Sequence, residues 1–177
     1  MRSMTGPPLP TEPWLRGTHS NVAAVPRATI HAFEQAAEDV ATWCAELTNT
    51  ELNATPYGLP SIAFQLRHIA GSLDRLLTYA EGHALTAQQL AALQSERGLE
   101  VSRDELFETF AKVLALSSDR ARKLGATAAT LQEARTVGRK NLPTTIAGLL
   151  VHVAEHTQRH VGQTITTAKI LLAQRDE

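Results

Sequence analysis

The chain has 177 residues, a formal net charge of -1 and a single cysteine, Cys44. That length suits one domain with a real core, whereas two halves would each be marginal. Lys and Arg are scattered, Cys44 has no internal disulfide partner, and no apolar run reaches the ~20 residues that span a bilayer; nucleic-acid and membrane partners are excluded on these grounds. The segment MRSMTGPPLPTEP lacks the apolar stretch of a signal peptide, so a reduced, cytoplasmic setting is expected.

Residues 1–25 carry Pro7, Pro8, Pro10 and Pro13 with Gly6 and Gly17, and Pro26 stands at their edge. They predict an extended N-terminal arm, anchored through Trp14 and Leu15, ahead of a helical domain over residues 26–177. From Arg27 to Leu47, the apolar residues Ile30, Phe33, Ala37, Val40, Ala41, Cys44 and Leu47 recur at intervals of one to four that place them on one helical face, with Cys44 as a core position. TNTELNATPYGLP breaks the pattern. Ser61 then caps a second helix through Leu66, Ile69, Leu73, Leu76, Leu77 and Ala80, closed by Gly82. Thr86 caps a short helix, AQQLAALQSE, with RGLEV leading out of it. SRDE at Ser102–Glu105 is a capping box for a third long helix, whose stripe of Leu106, Phe110, Val113, Leu114, Ser117, Ala121 and Leu124 runs to Gly125. A long link through ARTVGRKNLP reaches Pro143, after which Ile146, Leu149, Val153, Thr164, Ala168 and Leu171 define a fourth helix. No alternating strand pattern and no internal repeat is present. Four long helices predict an all-α four-helix bundle, whose core is a usual place for a metal.

The fourth helix holds LLVHVAEHTQRHVGQ, in which His152, His156 and His160 are spaced by four and form a stripe drifting by about 40° per step. His68, in LRHIAGSLDR, sits at the edge of the second helix's apolar stripe. Two imidazoles from one helix and one from another make a three-histidine site with an open fourth position, as in catalytic zinc sites. Spacing alone favours hydrogen-bonded or half-exposed edge histidines over a metal site, and that ordinary reading is taken for His19, His31 and His83, and for His68 considered by itself. HVAEH matches the H-x-x-E-H pattern of a metalloprotease group, yet only 21 residues follow His156, too few for the further acidic ligand and larger fold. Glu155 lies about 100° off the histidine stripe and reads as solvated.

LRHIAGSLDRLL followed by LLVHVAEHTQRHVGQ resembles the DinB-like (DinB/YfiT) family of bacterial four-helix-bundle proteins. The likeness runs over roughly Pro13 to Leu172 and includes PYGLPSIAFQLRHIA and LPTT. Its most specific part is the ending His156, His160, Gly162, Gln163, combined with a histidine on the second helix. The resemblance implies nickel or zinc held by His68, His156 and His160, with His152 lining the pocket behind them. Gln163 is either an orienting group there or an ordinary interhelical hydrogen bond. Relatives include S-transferases that use low-molecular-weight thiols such as bacillithiol or mycothiol, a maleylpyruvate isomerase branch and members of no known activity. The function so implied is metal-dependent transfer of such a thiol to a small-molecule electrophile, with no catalytic side chain assigned. Its alternative is a non-catalytic metal- or ligand-binding stress-response bundle. Arg75 and Arg139 are candidate anchors for a thiol's carboxylates, or else solvated charges. Relatives are often dimers, and Phe33 and Trp43 lie off the line of Ile30, Val40 and Cys44, so a two-fold homodimer is expected to cover that pair, the alternative cover being the Pro-rich arm through Trp14.

Overall fold

The structure, a computed structural model, describes residues 11–96 and 101–175. A 3-10 turn at Pro13–Leu15 precedes α1 (Ala24–Trp43), α2 (Asn49–Asn53) and a second 3-10 turn at Pro56–Gly58. There follow α3 (Ile62–Ala80), α4 (Ala87–Ser95), α5 (Arg103–Leu124), α6 (Ala128–Leu131), the strands β1 (Ala134–Val137) and β2 (Leu142–Thr145), and α7 (Ile146–Gln174).

The helices begin where side chains satisfy their free N–H groups. Ser61 Oγ accepts from the Phe64 amide, Thr145 Oγ1 from Gly148, and Thr86 forms a reciprocal box with Gln89. Ser102 caps α5 through the Glu105 amide, but the Glu105 side chain does not return the bond, so SRDE acts as a simple cap. α1 starts three residues before Arg27, because Pro26 is tolerated in a first helical turn, and it stops at Trp43. Cys44 and Leu47 are still buried, from the turn that follows. Within the stretch read as a break, Thr48 and Glu51 form a capping box that starts the short α2. The segment RGLEV leading out of α4 falls mostly outside the described residues.

α1, α3, α5 and α7 pack as a ring in which each touches two neighbours, α1 and α3 both lying against α7 and against α5. The senses follow from paired contacts. Thr29 meets Leu150 near the start of α1 and α7, and Lys169 lies over the Trp43 ring near their ends, so these two run parallel. Gln65 and His68 of α3 meet His160 and His156 in reverse order, so α3 is antiparallel to α7. α5 runs in the sense of α3, because α4 first travels back along α3, from the Gln89 contact with Thr78 to the Glu96 contact with His68. Ile30, Phe33, Leu66, Ile69, Leu73, Leu77, Ile146 and Leu150 fill the middle. No helix among the described residues is long and apolar enough to cross a membrane.

Three expectations are corrected. The link before α7 is not structureless: β1 and β2 form an antiparallel hairpin with Ala134 opposite Thr145, turning through Gly138 and Asn141 at positive φ. The strands are four residues each and Pro143 occupies an edge, so no alternating pattern announces them. From residue 11 the arm is a folded segment and not an extended one, and Trp14 is no anchor, being 62% exposed with Leu15 also out. Pro13 and Val22 are the buried residues, and Arg16 clasps Glu38 with two bonds of 2.6 Å. Phe33 is 1% exposed and belongs to the core, while Trp43 is half-buried under Lys169. The aromatic pair that motivated a dimer therefore does not exist as a surface patch.

The far end of α7 is tied down by Arg175, which donates two bonds of 2.6 Å to Glu51. That guanidinium, with the Thr48 amide, holds the Glu51 carboxyl down at about 2. A carboxyl depressed on folding adds stability above its unfolded pKa, and that share is lost as pH falls toward the folded value. Glu51→Gln is expected to lower stability at neutral pH and to leave it unchanged near pH 2; urea midpoints against pH for both proteins measure this, and parallel curves would reject the contact's role.

Candidate metal centre

His68 comes from α3, and His156 and His160 from successive turns of α7. The antiparallel packing of these helices brings one ring nitrogen of each to within 4.8 Å of the others. Ring centroids stand 5.2 Å apart for His68 and His156, 4.6 Å for His68 and His160, and 4.5 Å for His156 and His160.

Two of the rings have their outward nitrogen engaged. His160 Nδ1 lies 2.6 Å from Gln65 Oε1, and His68 Nδ1 lies 2.9 Å from Glu96 Oε2. Both partners are acceptors, so in each ring Nδ1 carries a proton, and it is the neutral form of such a ring that has its lone pair on Nε2. Burial holds His156 well below its ordinary value, to about 4, helped by the neighbouring His160, His68, His152 and Arg75. His160 is lowered too, by burial and then by His68 and Arg159. His156 and His160 are thus neutral at pH 7, the state that ligates, and imidazole nitrogens suit zinc or nickel. The donor set fits a divalent ion of that class.

The other predicted residues are placed differently. His152 is exposed, with Nδ1 against Glu155 at 3.3 Å, and among the described residues the ring it meets is that of His156, at 5.7 Å. Glu155 also pairs with Arg159 and faces away from the trio, so H-x-x-E-H is not assembled as a catalytic unit. Gln163 accepts from Gln65 Nε2 at 2.8 Å and so stands one bond behind His160, in the interhelical role. Arg75 is neither anion anchor nor solvated charge: it is 9% exposed and gives Nη1 to Glu96 at 2.7 Å. Arg139 is exposed on the hairpin turn, where it lines a cavity of about 590 Å³ at the far end of α3 with Tyr79 and His83. Cys44 is fully buried and its thiol is pushed up to about 12, which removes it as a nucleophile at neutral pH.

Gln65 and Glu96 are the neighbours that sequence reasoning missed. Gln65 sits one turn before His68, and the signal for Glu96 was the glycine of HIAGSLDR in mid-helix, where a residue without a side chain needs a reason. A cavity of about 450 Å³, lined by Gln65, Arg159, Gln163 and Thr167, shares Gln65 with the trio.

A second group, His19, His31 and Glu34, also lies close enough to hold an ion. There Arg122 donates to His19 Nδ1 at 3.4 Å, so Nε2 bears the proton and gives it to Glu34 at 2.7 Å. Those bonds make the group a clasp between the N-terminal segment and α1.

Compared with known families, the chain matches the model of the DinB superfamily over residues 32–164, a span that contains His68, His156 and His160. No curated protein and no solved structure matches it.

Proposed function

Because the chain belongs to the DinB superfamily, we propose that its four long helices form that family's bundle and that His68, His156 and His160 bind one nickel or zinc ion. The observation that carries this is the convergence of three ring nitrogens within 4.8 Å, two of them with Nδ1 already bound to an acceptor. Bound there, such an ion would supply Lewis acidity and lower the pKa of a low-molecular-weight thiol, whose proton would pass to solvent and whose sulfur would displace a leaving group from, or add across a double bond of, the electrophile. The residues around it bind and orient. Gln65 holds His160, Gln163 holds Gln65, and the adjoining cavity offers Arg159 to an anionic group of the thiol or the substrate. No protein nucleophile is required, in accord with the inert Cys44.

Metal-loaded protein screened against a panel of thiols and electrophiles tests the transfer. Consumption of a thiol that stops on chelation supports it. Stoichiometric metal without any turnover favours the non-catalytic binding module, for which Glu155 speaks, since it is engaged by His152 and Arg159 instead of serving the trio as a general base.

Chelation is expected to lower the melting temperature without unfolding the protein at room temperature. An ion that binds only the folded state adds stability by mass action, whereas the apolar core is built without it. Circular dichroism with and without chelator reads both effects, and a chelated protein without helical signal would contradict this division. Self-association as a two-fold dimer, proposed here on the family alone, is checked by light scattering: a mass near 19.2 kDa rejects it.

A further inference from the structure

We propose that Glu96 is the positioning residue for His68, seated by Arg75 and by the absent side chain of Gly71, and that through it α4 is coupled to metal occupancy. This rests on the trio being the metal ligands. Gly71 is in the interior of α3, where glycine is disfavoured. A Cβ at Gly71 would stand 2.7 Å from Glu96 Oε1 and 2.8 Å from Arg75 Nη1, closer than real contacts come. The glycine therefore makes room for a carboxylate.

That carboxylate is divided between two donors. Oε1 accepts from Arg75 Nη1 at 2.7 Å, and Oε2 accepts from His68 Nδ1 at 2.9 Å. Arg75 is itself buried and also donates to Ser72 Oγ at 3.3 Å, so the acceptor cannot drift far. His68 is left with one tautomer and one ring orientation. Turning the ring over would put a carbon against the carboxylate and take Nε2 away from His156 and His160.

Glu96 comes from the end of α4, an element with no buried residue, on which Leu90 and Leu93 lie exposed. Among the described residues its side-chain ties to α3 are Gln89, to Asp74 and Thr78, and Glu96. Coupling is reciprocal: the factor by which the Glu96 contact tightens metal is the factor by which metal tightens that contact.

The test is zinc titration of the full chain carrying Gly71→Ala or Glu96→Gln. Both are expected to weaken binding about 10–100-fold, the usual cost of losing an outer partner of a ligand. Gly71→Ala gains helix propensity in α3 but crowds the buried Arg75–Glu96 pair, so the metal-free circular dichroism of both variants is recorded first, and a native helical signal separates positioning from folding. Glu96→Gln must present an N–H to either His68 or Arg75 and spoils one bond. Ring 15N shifts should show His68 as the Nδ1–H tautomer in wild type and as a mixture in both variants. Amide exchange in α4 should slow on adding zinc to wild type and not to Glu96→Gln. Variants that bind zinc like wild type and keep a single His68 tautomer overturn the proposal. Wild type that binds no zinc overturns the metal reading instead, and the tautomer comparison in metal-free protein then still decides whether Glu96 orients His68.

Discussion

His160→Ala is expected to abolish zinc binding, while His152→Ala leaves it within the about 10–100-fold that loss of an outer contact costs. His160 is the member of the trio nearest to both others, at 4.6 and 4.5 Å between centroids, and its Nδ1 is seated on the buried Gln65. Removing it leaves His68 and His156, whose rings are 5.2 Å apart and belong to different helices. Two imidazoles make a far weaker site than three, because each lost nitrogen must be replaced by water or an adventitious anion. His152 is one turn away on the same helix but exposed and committed to Glu155, so its loss removes no ligand. Calorimetric titration of metal-free protein measures the pair of variants. Equal losses would mean that the stripe on α7 binds as a unit without His68, and the assignment would fail.

Phe33→Ala is expected to destabilise the protein by about 3–5 kcal/mol, the range for an aromatic deleted from a close-packed core. Typical domains are stable by only about 5–15 kcal/mol, so the variant should be near unfolding at 37 °C. The reason is position. Phe33 is among the largest fully buried side chains and lies in the core between α1 and its neighbours. Were Phe33 part of a surface patch awaiting a partner, the change would fall within about 0.5 kcal/mol in the monomer. Urea denaturation separates these outcomes, and a loss below about 1 kcal/mol would contradict the core placement.

Residues that act through their own helix were readable. The stop at Gly82 and the caps at Ser61, Thr86 and Ser102 depend on a few adjacent residues, and the inward stripe of α7 from Ile146 to Leu171 follows from 3.6 residues per turn. Less readable were elements whose partners are distant or whose length is short. The hairpin pairs Ala134 with Thr145 across an eight-residue strand content that no periodicity can mark, and α2 is hidden in a run that looks like a break. Phe33 was misplaced because a face of a helix has two edges, and which edge is covered depends on where the neighbour crosses.

His156 and His160 were brought side by side by the α-helix itself, since four residues return the chain to one face whatever surrounds it. So the sequence alone determined a paired imidazole donor, four long amphipathic helices and an inert cysteine position. The tertiary structure decided that His68 lies beside the pair, that His160 meets Gln65, that His68 meets Glu96 across 28 residues, and that the ring of His152 is exposed. The physical reason is that hydrogen bonds and ligand convergence between helices depend on packing sense and axial register. Those are properties of several stripes meeting at once, and no single stripe contains them.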